Sequence, residues 1–457
     1  MRDHFILLLV VIFLSLSVTS RLAGLYTYWW FGIFRPHDWI WGSLLTDLKT
    51  PLLAAILFVV PSFIQNITPK VDNSLAVLMV VFFVLEVIAN LLNGCSVLPI
   101  RVATIDAVFI LFYVVLLTAR LLTDYKKLFW LILIVGVSIA FHSGKAGLNA
   151  IVSGSSSYGQ NNLTGLFSGS NAFALGSGML LFFMILCLQF INSPLFFPNP
   201  EKWYSKPILL KIYKIFFILM IVGTFYNIVS LESRGSFLAT CAGLFVWILL
   251  HKKRVKILSI TIIVIILGHV VIPLPEGYTD RIMSVFADED ERDNSAASRP
   301  YFWKVARQIA SDHPLGVGPG CYPLYYNDYD RAYGSFRSVH SSHFGILADT
   351  GYLGITVWIL LLLTSYRKLF KIRRIANGQI KDADLKSFYI YAATALICSQ
   401  TTFILGGSFY EYGYNDVTWL TFGLVIALER LVHADVKKQD NPELSDAARA
   451  LKSVGSS

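Results

Sequence analysis

Apolar stretches of about twenty residues alternate with short polar segments along most of this 457-residue chain. A stretch of that length is long enough for an α-helix to cross the hydrocarbon core of a membrane. Candidate crossings lie roughly at 4–19, 21–35, 51–66, 74–93, 104–121, 128–143, 172–192, 212–230, 236–251, 255–274, 342–366, 387–407 and 414–433. The first two are short and fit either one broken helix or a re-entrant pair, so the pattern predicts about 12–13 transmembrane helices.

The composition agrees with this pattern, because 55% of the residues are hydrophobic and only 15% are charged, with a mean hydropathy of +0.60. Such values exclude a soluble enzyme of this length and predict an all-α polytopic membrane protein. We expect N-terminal transmembrane helices at 1–143, a membrane domain at 144–435 and a polar, disordered cytoplasmic tail at 436–457. The first twenty residues imitate a signal peptide, but an apolar run follows at once, so an uncleaved first helix is expected.

Basic residues sort the polar segments between the two faces of the membrane. The formal net charge is +9, which we attribute to basic cytoplasmic loops rather than to nucleic-acid binding. The four clusters predicted to share the cytoplasmic face are Arg120, Lys126 and Lys127, then Lys202, Lys206, Lys211 and Lys214, then His251, Lys252, Lys253, Arg254 and Lys256, and finally Arg367, Lys368, Lys371, Arg373 and Arg374. The opposite face then carries the loop at about 144–170, the turn at 232–235 and a long loop at about 275–340 containing short helices.

Five cysteines are scattered along the chain without the spacing of a metal site. Cys187, Cys241 and Cys398 lie within apolar runs and are expected to be small core residues. Cys95 and Cys321 are also expected to be unpaired, with a disulfide between them as the alternative.

Two arginines on the outer face are candidates for holding an anionic group. Arg234 lies in a very short turn between two spans, where a charge is costly unless it is paired or functional. Its planar guanidinium could clamp a phosphate, or it could extend to the interface and pair with Glu232. Arg299 opens an amphipathic helix in which Tyr301, Phe302, Val305 and Ile309 recur at helical spacing; a solvated surface arginine is the alternative there.

His340 and His343 stand at the start of the span at 342–366. Histidine can accept a proton near neutral pH, so His340 is a candidate general base, and an interfacial histidine held by hydrogen bonds is the alternative. A metal site is not predicted, because no third ligand lies nearby. Asp349 is about two turns further into the span, where we expect it to cap, to pair with a basic group or to line a cavity.

Two further features of the spans and loops need a structural explanation. Gly316, Gly318 and Gly320 do not follow a strand and do not match a nucleotide-binding pattern, so they predict a turn at which two segments approach closely. Glu86 lies inside an apolar span, where it requires a partner or a cavity that the sequence does not name.

Two blocks of this sequence resemble motifs of the O-antigen ligase and O-antigen polymerase superfamily. The segment HSSHFGILADTG is similar to the family's HN-xx-L-xx-L-x-E-x-G block, with His340 on the family histidine and Asp349 on its acidic position. Ser341 replaces the usual asparagine. Arg299 with Trp303, followed by PLGVGPG, is similar to the family's R-xxx-W and P-xx-G-x-G block.

Two more blocks, in the same order, strengthen the resemblance. Ser233, Arg234 and Gly235 are similar to the family's SRG turn, and the segment GLFSGSN, which ends at Asn171, is similar to its G-x-F-xxx-N block. The four blocks together span 165–355. The segments WWF and RPHDW in the N-terminal third resemble O-glycosylation ligases associated with exosortase systems.

The resemblance implies a metal-independent glycosyltransferase of the bacterial inner membrane that needs no cofactor. Such enzymes move a glycan from undecaprenyl pyrophosphate to an acceptor hydroxyl, on lipid A-core or on a protein, at the periplasmic face, as in lipopolysaccharide biosynthesis. By analogy Arg234 and Arg299 hold the pyrophosphate and His340 takes the acceptor proton. His343, Asp349 and Asn171 complete the predicted substrate site. No nucleic-acid partner is implied.

Two other functions remain open from the sequence. A polymerase of lipid-linked repeat units needs the same donor site and differs in its acceptor. A transporter of lipid-linked glycans would distribute charges through the spans and over both faces, often with an inverted repeat. The charges that the sequence singles out gather on one face and no repeat is visible, so a ligase is favoured.

The predicted topology is testable by labelling single cysteines from outside the cell, in a background without native cysteines. Cysteines at Arg299 and His340 should react, while those at Lys253 and Arg373 should be protected by the membrane. Protection at 299 together with labelling at 373 would reverse the assignment.

Overall fold

The computed structural model describes residues 2–40, 44–95, 104–153, 169–196, 205–256, 258–259, 298–329 and 333–440, and this part of the chain is helical with no strand. Its helices are α1 (Arg2–Thr19), α2 (Arg21–Phe34), α3 (Leu44–Asp47), α4 (Thr50–Ile64), α5 (Ser74–Asn93), α6 (Ile105–Leu121), α7 (Tyr125–Ile139), α8 (Lys145–Ser153), α9 (Ser170–Phe190), α10 (Pro207–Ser230), α11 (Arg234–Leu250), α12 (Arg299–Asp312), α13 (Tyr322–Tyr325), α14 (Ser342–Gln379), α15 (Ala383–Gly406) and α16 (Asp416–Asp440). A π-helical turn, Ala140–Gly144, joins α7 to α8.

The predicted all-α polytopic fold is confirmed. Within the described residues, seven helices are long and apolar enough to cross a membrane, and several shorter apolar helices pack among them. Each predicted span except 255–274 coincides with a helix; that span lies mostly outside the described residues, as do Asn162, residues 275–297 and the tail beyond Asp440. The last helix continues to Asp440, several residues past the predicted start of the tail.

The first two helices fold back on each other as a hairpin, and the broken-helix alternative is wrong. The Phe13 and Trp30 rings lie 4.6 Å apart, and the Thr27 hydroxyl donates to the Phe13 carbonyl at 3.2 Å. Residues that far apart in sequence could not meet along one helix rising 1.5 Å per residue. The hairpin explains how two short apolar runs occur in direct succession.

Close packing joins the helices in the interior of the bundle. The rings of Phe82, Trp358 and Trp419, from α5, α14 and α16, lie within 6 Å of one another. Elsewhere α8 approaches α10 so closely that a Cβ on Gly147 would lie 1.7 Å from the Gly223 carbonyl oxygen. Small residues allow this kind of backbone contact between helices in lipid, where apolar burial alone cannot hold helices together.

A disulfide joins Cys95 to Cys321, with Cα atoms 5.8 Å apart, so the expectation of two unpaired cysteines is wrong. The bond ties the end of α5 to the segment that follows α12. Two hydrogen bonds reinforce the junction: the Tyr325 hydroxyl donates to the Asn93 carbonyl at 2.6 Å, and the Asn93 amide donates to the Gly316 carbonyl at 2.9 Å. Cys187 and Cys398 are buried thiols in the core.

The glycine-rich turn Pro314–Gly320 packs against a break in α14, which confirms the predicted close approach. Gly351 has φ +66° within α14, and a Cβ there would lie 2.0 Å from the Pro314 carbonyl oxygen. At the break, the turn provides hydrogen-bond partners for the backbone of α14. The Tyr352 amide donates to the Pro314 carbonyl, and the Gly318 amide donates to the Asp349 carbonyl. The α14 backbone is thereby locked to the segment after α12.

Polar contacts also join helices that are far apart in the sequence. Tyr414 donates its hydroxyl proton to the Glu86 carboxylate at 2.6 Å, which identifies the partner that the sequence left open. At the opposite ends of the helices, Lys368 pairs with Glu429 at 2.6 Å. We call the face that carries His340 the outer face and the one that carries Lys368 the basic face.

Replacing Gly351 with alanine should lower thermal stability, because the positive φ costs about 1–3 kcal/mol and the new Cβ would overlap backbone atoms. Gly378, near the end of the same helix, has open space around it, with no atom within 4 Å of the position that a Cβ would take. Gly378→Ala should therefore be neutral or stabilising by about 0.5–1 kcal/mol. Thermal unfolding of both purified variants in detergent would test this contact between the glycine-rich turn and α14. Equal stability of the two variants would refute it.

Candidate functional site

His340 lies at the outer face, one residue before the cap of α14. The Ser341 hydroxyl accepts a hydrogen bond from the Phe344 amide at 3.4 Å, so this serine starts the helix as an N-cap should. His340 itself has φ +50°, an uncommon conformation for a residue other than glycine. Its ring is half-buried and lies 5.8 Å from the ring of Phe302. The cap therefore fixes the imidazole just outside the helix.

The surroundings of His340 favour a neutral imidazole. Burial lowers its pKa below the usual value, and the positive charges of Arg299 and Arg337 lower it further. Arg337 is held in place by a hydrogen bond from its Nε to the Tyr333 carbonyl. A neutral imidazole at physiological pH can accept a proton, whereas an imidazolium cannot.

Arg299 is the first residue of α12, and Pro300 follows it at a position that suits the first turn of a helix. Phe302, Val305 and Ile309 are buried while Lys304 and Arg307 are exposed, so the predicted amphipathic surface helix is confirmed. This orientation places the half-buried Arg299 close enough to His340 to lower its pKa.

Trp303 connects α12 to two other parts of the outer face. Its indole stacks on the Phe344 ring of α14 at 5.4 Å and lies 6.5 Å from the ring of Phe409. Phe409 in turn packs on Gly235, where an added Cβ would lie 3.1 Å from the Phe409 Cβ. Aromatic contacts thus run from the helix of Arg299 to the turn of Arg234.

Arg234 begins α11 in a turn that is fastened to α9. The Ser233 hydroxyl donates to the Asn171 side-chain oxygen at 2.6 Å, and the Ser236 hydroxyl lies 3.3 Å from the Asn171 carbonyl. Asn171 therefore holds the turn that carries Arg234 in position. Arg234 is half-buried, as expected for a charge at the edge of the spans.

His343 differs from His340, because both of its ring nitrogens are engaged within the protein. The Trp358 indole donates to Nδ1 at 3.1 Å, so Nε2 carries the proton and donates to the Ile404 carbonyl at 3.0 Å. The geometry fixes His343 as a neutral link between α14 and α15. A contact of His343 with substrate stays a prediction, and the two histidines do not form a metal pair in this arrangement.

Asp349 is completely buried and faces the glycine-rich turn. One carboxylate oxygen accepts a hydrogen bond from the Gly320 amide at 2.9 Å. This hydrogen bond corresponds to the first of the three roles expected for Asp349, which were to cap, to pair with a basic group or to line a cavity. Asp349 positions the turn beneath the site, and its part in substrate binding stays a prediction.

Sequence reasoning missed the segment 407–415, which connects α15 to α16 at the outer face. Glu411 accepts a hydrogen bond from the Ser338 hydroxyl at 2.5 Å, and burial raises the pKa of this carboxyl although that hydrogen bond lowers it. The Ser342 hydroxyl accepts a hydrogen bond from the Tyr412 amide at 2.8 Å, which fixes the segment to the start of α14. The polar and aromatic run GGSFYEYGYND between two apolar spans was the available signal.

One known protein family matches the region that contains most of these residues. Residues 215–359 match the family model described as O-antigen ligase. This match supports the resemblance of the chain to the O-antigen ligase superfamily. The matched region contains Arg234, Arg299, His340, His343 and Asp349, whereas Asn171 lies before it. No curated protein matches the chain.

Among the residues that the structure describes, no group of three or more His, Cys, Asp or Glu side chains is arranged to hold a metal ion. The two positive charges near His340 at the outer face, Arg299 and Arg337, suit a negatively charged ligand.

The pKa of His340 can be measured by NMR on purified protein labelled at the histidine rings. We expect a value below about 6.5, the usual pKa of histidine. Arg337→Gln should raise it, because one nearby positive charge is removed, whereas Arg337→Lys should leave it almost unchanged. The exposed Arg307→Gln is the control. A pKa above the usual value in the unmodified protein would contradict the assignment.

Proposed function

We propose that this protein is a glycosyltransferase that moves a glycan from undecaprenyl pyrophosphate to an acceptor hydroxyl. The proposal rests mainly on His340, whose pKa is lowered by burial and by the nearby positive charge of Arg299, so that the neutral imidazole is favoured. Both residues lie in the region that matches the O-antigen ligase family model. Transfer from a pyrophosphate requires a proton acceptor and a cation near it, and His340 and Arg299 could supply these two groups.

In the proposed reaction, His340 and the two arginines have different roles. The acceptor oxygen attacks the anomeric carbon, the bond from that carbon to the pyrophosphate oxygen breaks, and the lipid pyrophosphate leaves with the bonding electrons. His340 takes the hydroxyl proton. Arg234 and Arg299 stabilise the negative charge that develops on the leaving group, and Ser233 and Asn171 hold the turn of Arg234 in position.

Apolar side chains beside Arg234 suit a lipid-linked donor. Leu238 lies one turn further along α11 and is 47% exposed, and Leu405 and Phe409 of the neighbouring segment are 42% and 38% exposed. They form an apolar patch at the edge of the spans next to a cation. A polyprenyl chain in the bilayer could rest there while its pyrophosphate reaches the arginines.

The outer face is proposed to be periplasmic in a bacterial inner membrane. The disulfide of Cys95 and Cys321 lies on this side, and disulfides persist in oxidising compartments such as the periplasm. The basic clusters end on the opposite side, as expected for cytoplasmic loops. Both observations support the same orientation independently.

The acceptor distinguishes a ligase, which we favour, from a polymerase that uses the same donor site. Purified protein in detergent would be given an undecaprenyl-pyrophosphate glycan with lipid A-core, with a protein acceptor, or with neither. Transfer to one of the first two indicates a ligase; longer lipid-linked glycans without added acceptor indicate a polymerase. Absence of transfer in every arm would overturn the proposal, as would movement of the glycan across vesicles without transfer.

In that assay Arg234→Ala and Arg299→Ala should abolish transfer, and lysine should restore little because it lacks the bidentate geometry of arginine. His340→Asn should reduce transfer by on the order of a hundredfold. Asparagine is the sharper substitution because it tolerates the left-handed backbone at this position. Donor binding should survive in this variant.

Matched controls separate chemistry from folding. Arg307→Ala removes an exposed arginine from the same face of the membrane as Arg299→Ala and should leave transfer unchanged. His343→Phe removes two internal hydrogen bonds and should lower thermal stability, by about 1 kcal/mol for each bond, more than it lowers transfer. If His343 proves essential for transfer while His340 is dispensable, the assignment of the base is wrong.

A further inference from the structure

A basic cavity of about 540 Å³ opens at the face opposite His340, between the ends of α11, α14 and α15. His251, Lys252, Arg373, Arg374 and Lys386 contribute to its wall. Among the described residues that line it, none is acidic. This concentration of positive charge is separate from the candidate site and is not used by the proposed transfer reaction.

Arg373 is held at this cavity in a fixed position. One guanidinium nitrogen donates to the Thr394 hydroxyl, and another donates to the Leu250 carbonyl at 3.2 Å. Both partners are neutral, so these bonds orient the guanidinium without cancelling its charge. Such an arrangement retains the strong interaction of a guanidinium with a phosphate.

The remaining cations surround this fixed group. Lys252 and Arg374 are exposed, and Lys386 is half-buried on α15. His251 lies 3.3 Å from the Tyr391 hydroxyl, and burial lowers its pKa, so the lysines and arginines supply the charge near neutral pH. Together these side chains can neutralise more than one phosphate charge.

The cavity also has apolar walls, which distinguish a lipid from a soluble phosphate compound. Leu250, Phe370 and Ile390 line it, and the Phe370 side chain is 47% exposed. Phe370 projects from the same helix end as Arg373 and Arg374, where the apolar span gives way to basic residues. Charge at the membrane surface above exposed apolar side chains matches a phospholipid, with a phosphate headgroup and acyl chains.

We propose that this cavity binds the headgroup of an anionic phospholipid from the leaflet on the basic face. The phosphate oxygens would meet Arg373 first, with Arg374, Lys252 and Lys386 around them, and the acyl chains would lie against Phe370 and Ile390. A bound lipid would join the ends of α11, α14 and α15. The site would thereby brace the helices that carry Arg234 and His340 at their other ends.

Binding can be measured by native mass spectrometry and thermal shift on the full-length protein in detergent. The probes are cardiolipin, phosphatidylglycerol, phosphatidylcholine and inorganic pyrophosphate. We expect saturable binding and stabilisation by the two anionic lipids, and much weaker effects of phosphatidylcholine. If pyrophosphate binds and stabilises as well as the anionic lipids do, a soluble phosphate site replaces the lipid assignment.

A matched pair of variants separates a site from general attraction to anionic lipid. The triple change Lys252→Gln, Arg374→Gln and Lys386→Gln should weaken cardiolipin binding at least about tenfold. The triple change Lys126→Gln, Lys211→Gln and Lys214→Gln removes the same charge from other exposed positions of the basic face and should have little effect. Equal losses in the two variants, or no saturable binding of either anionic lipid, would overturn the proposal.

Arg373→Gln provides an additional check on the fixed guanidinium. This change keeps a hydrogen-bond donor near Thr394 but removes the charge, so stabilisation by cardiolipin should fall even if the unliganded protein remains folded. Retention of full stabilisation would exclude Arg373 from the site. These readouts are independent of glycan transfer, so failure here and failure of the proposed function can be told apart.

Discussion

The contact between the glycine-rich turn and the break in α14 determines where the proposed site residues Arg299 and His340 lie. The turn follows α12, which begins at Arg299, and α14 begins two residues after His340. Three hydrogen bonds lock the two helices together: the Tyr352 amide donates to the Pro314 carbonyl, the Gly318 amide donates to the Asp349 carbonyl, and the Gly320 amide donates to the Asp349 side chain. Only glycine permits the approach at Gly351, where a Cβ would overlap the Pro314 carbonyl. Loss of this contact would free α12, and Arg299 with it, to move relative to His340.

The disulfide and the aromatic contacts extend this interlock to the rest of the outer face. Cys95 brings the end of α5 to the segment after α12, and Trp303 connects α12 to Phe344 and Phe409. Phe409 then reaches the turn that carries Arg234. A site assembled from several helix ends requires such cross-links, because each helix end could otherwise move relative to its neighbours.

The two faces differ in the number of their charges and in how far those charges are exposed to solvent. At the outer face, burial lowers the pKa of His340, and the positive charges of Arg299 and Arg337 lower it further. At the basic face the charges are numerous, and many are exposed to solvent, where a charge costs little. The cavity around Arg373 is the described place on that face where cations gather around an oriented guanidinium and apolar walls.

The sequence by itself determined the helical elements and indicated the family. Apolar runs of span length located the helices of the described residues, since lipid requires each backbone to satisfy its own hydrogen bonds, although α14 extends to Gln379, well beyond its predicted end. The amphipathic pattern of α12 and the family blocks also led to Arg234, Arg299 and His340 as candidate site residues, which stay predictions. These features depend on local spacing, which a single chain displays directly.

Tertiary structure decided what depends on partners distant in sequence. His340 and His343 look equivalent in the chain, yet Trp358 and Ile404 occupy both nitrogens of His343 and leave the two histidines in different chemical situations. The pairing of Cys95 with Cys321 and of Glu86 with Tyr414 likewise joins residues more than two hundred positions apart. A buried polar group takes whatever partner the packing brings to it, and only the folded chain specifies that partner.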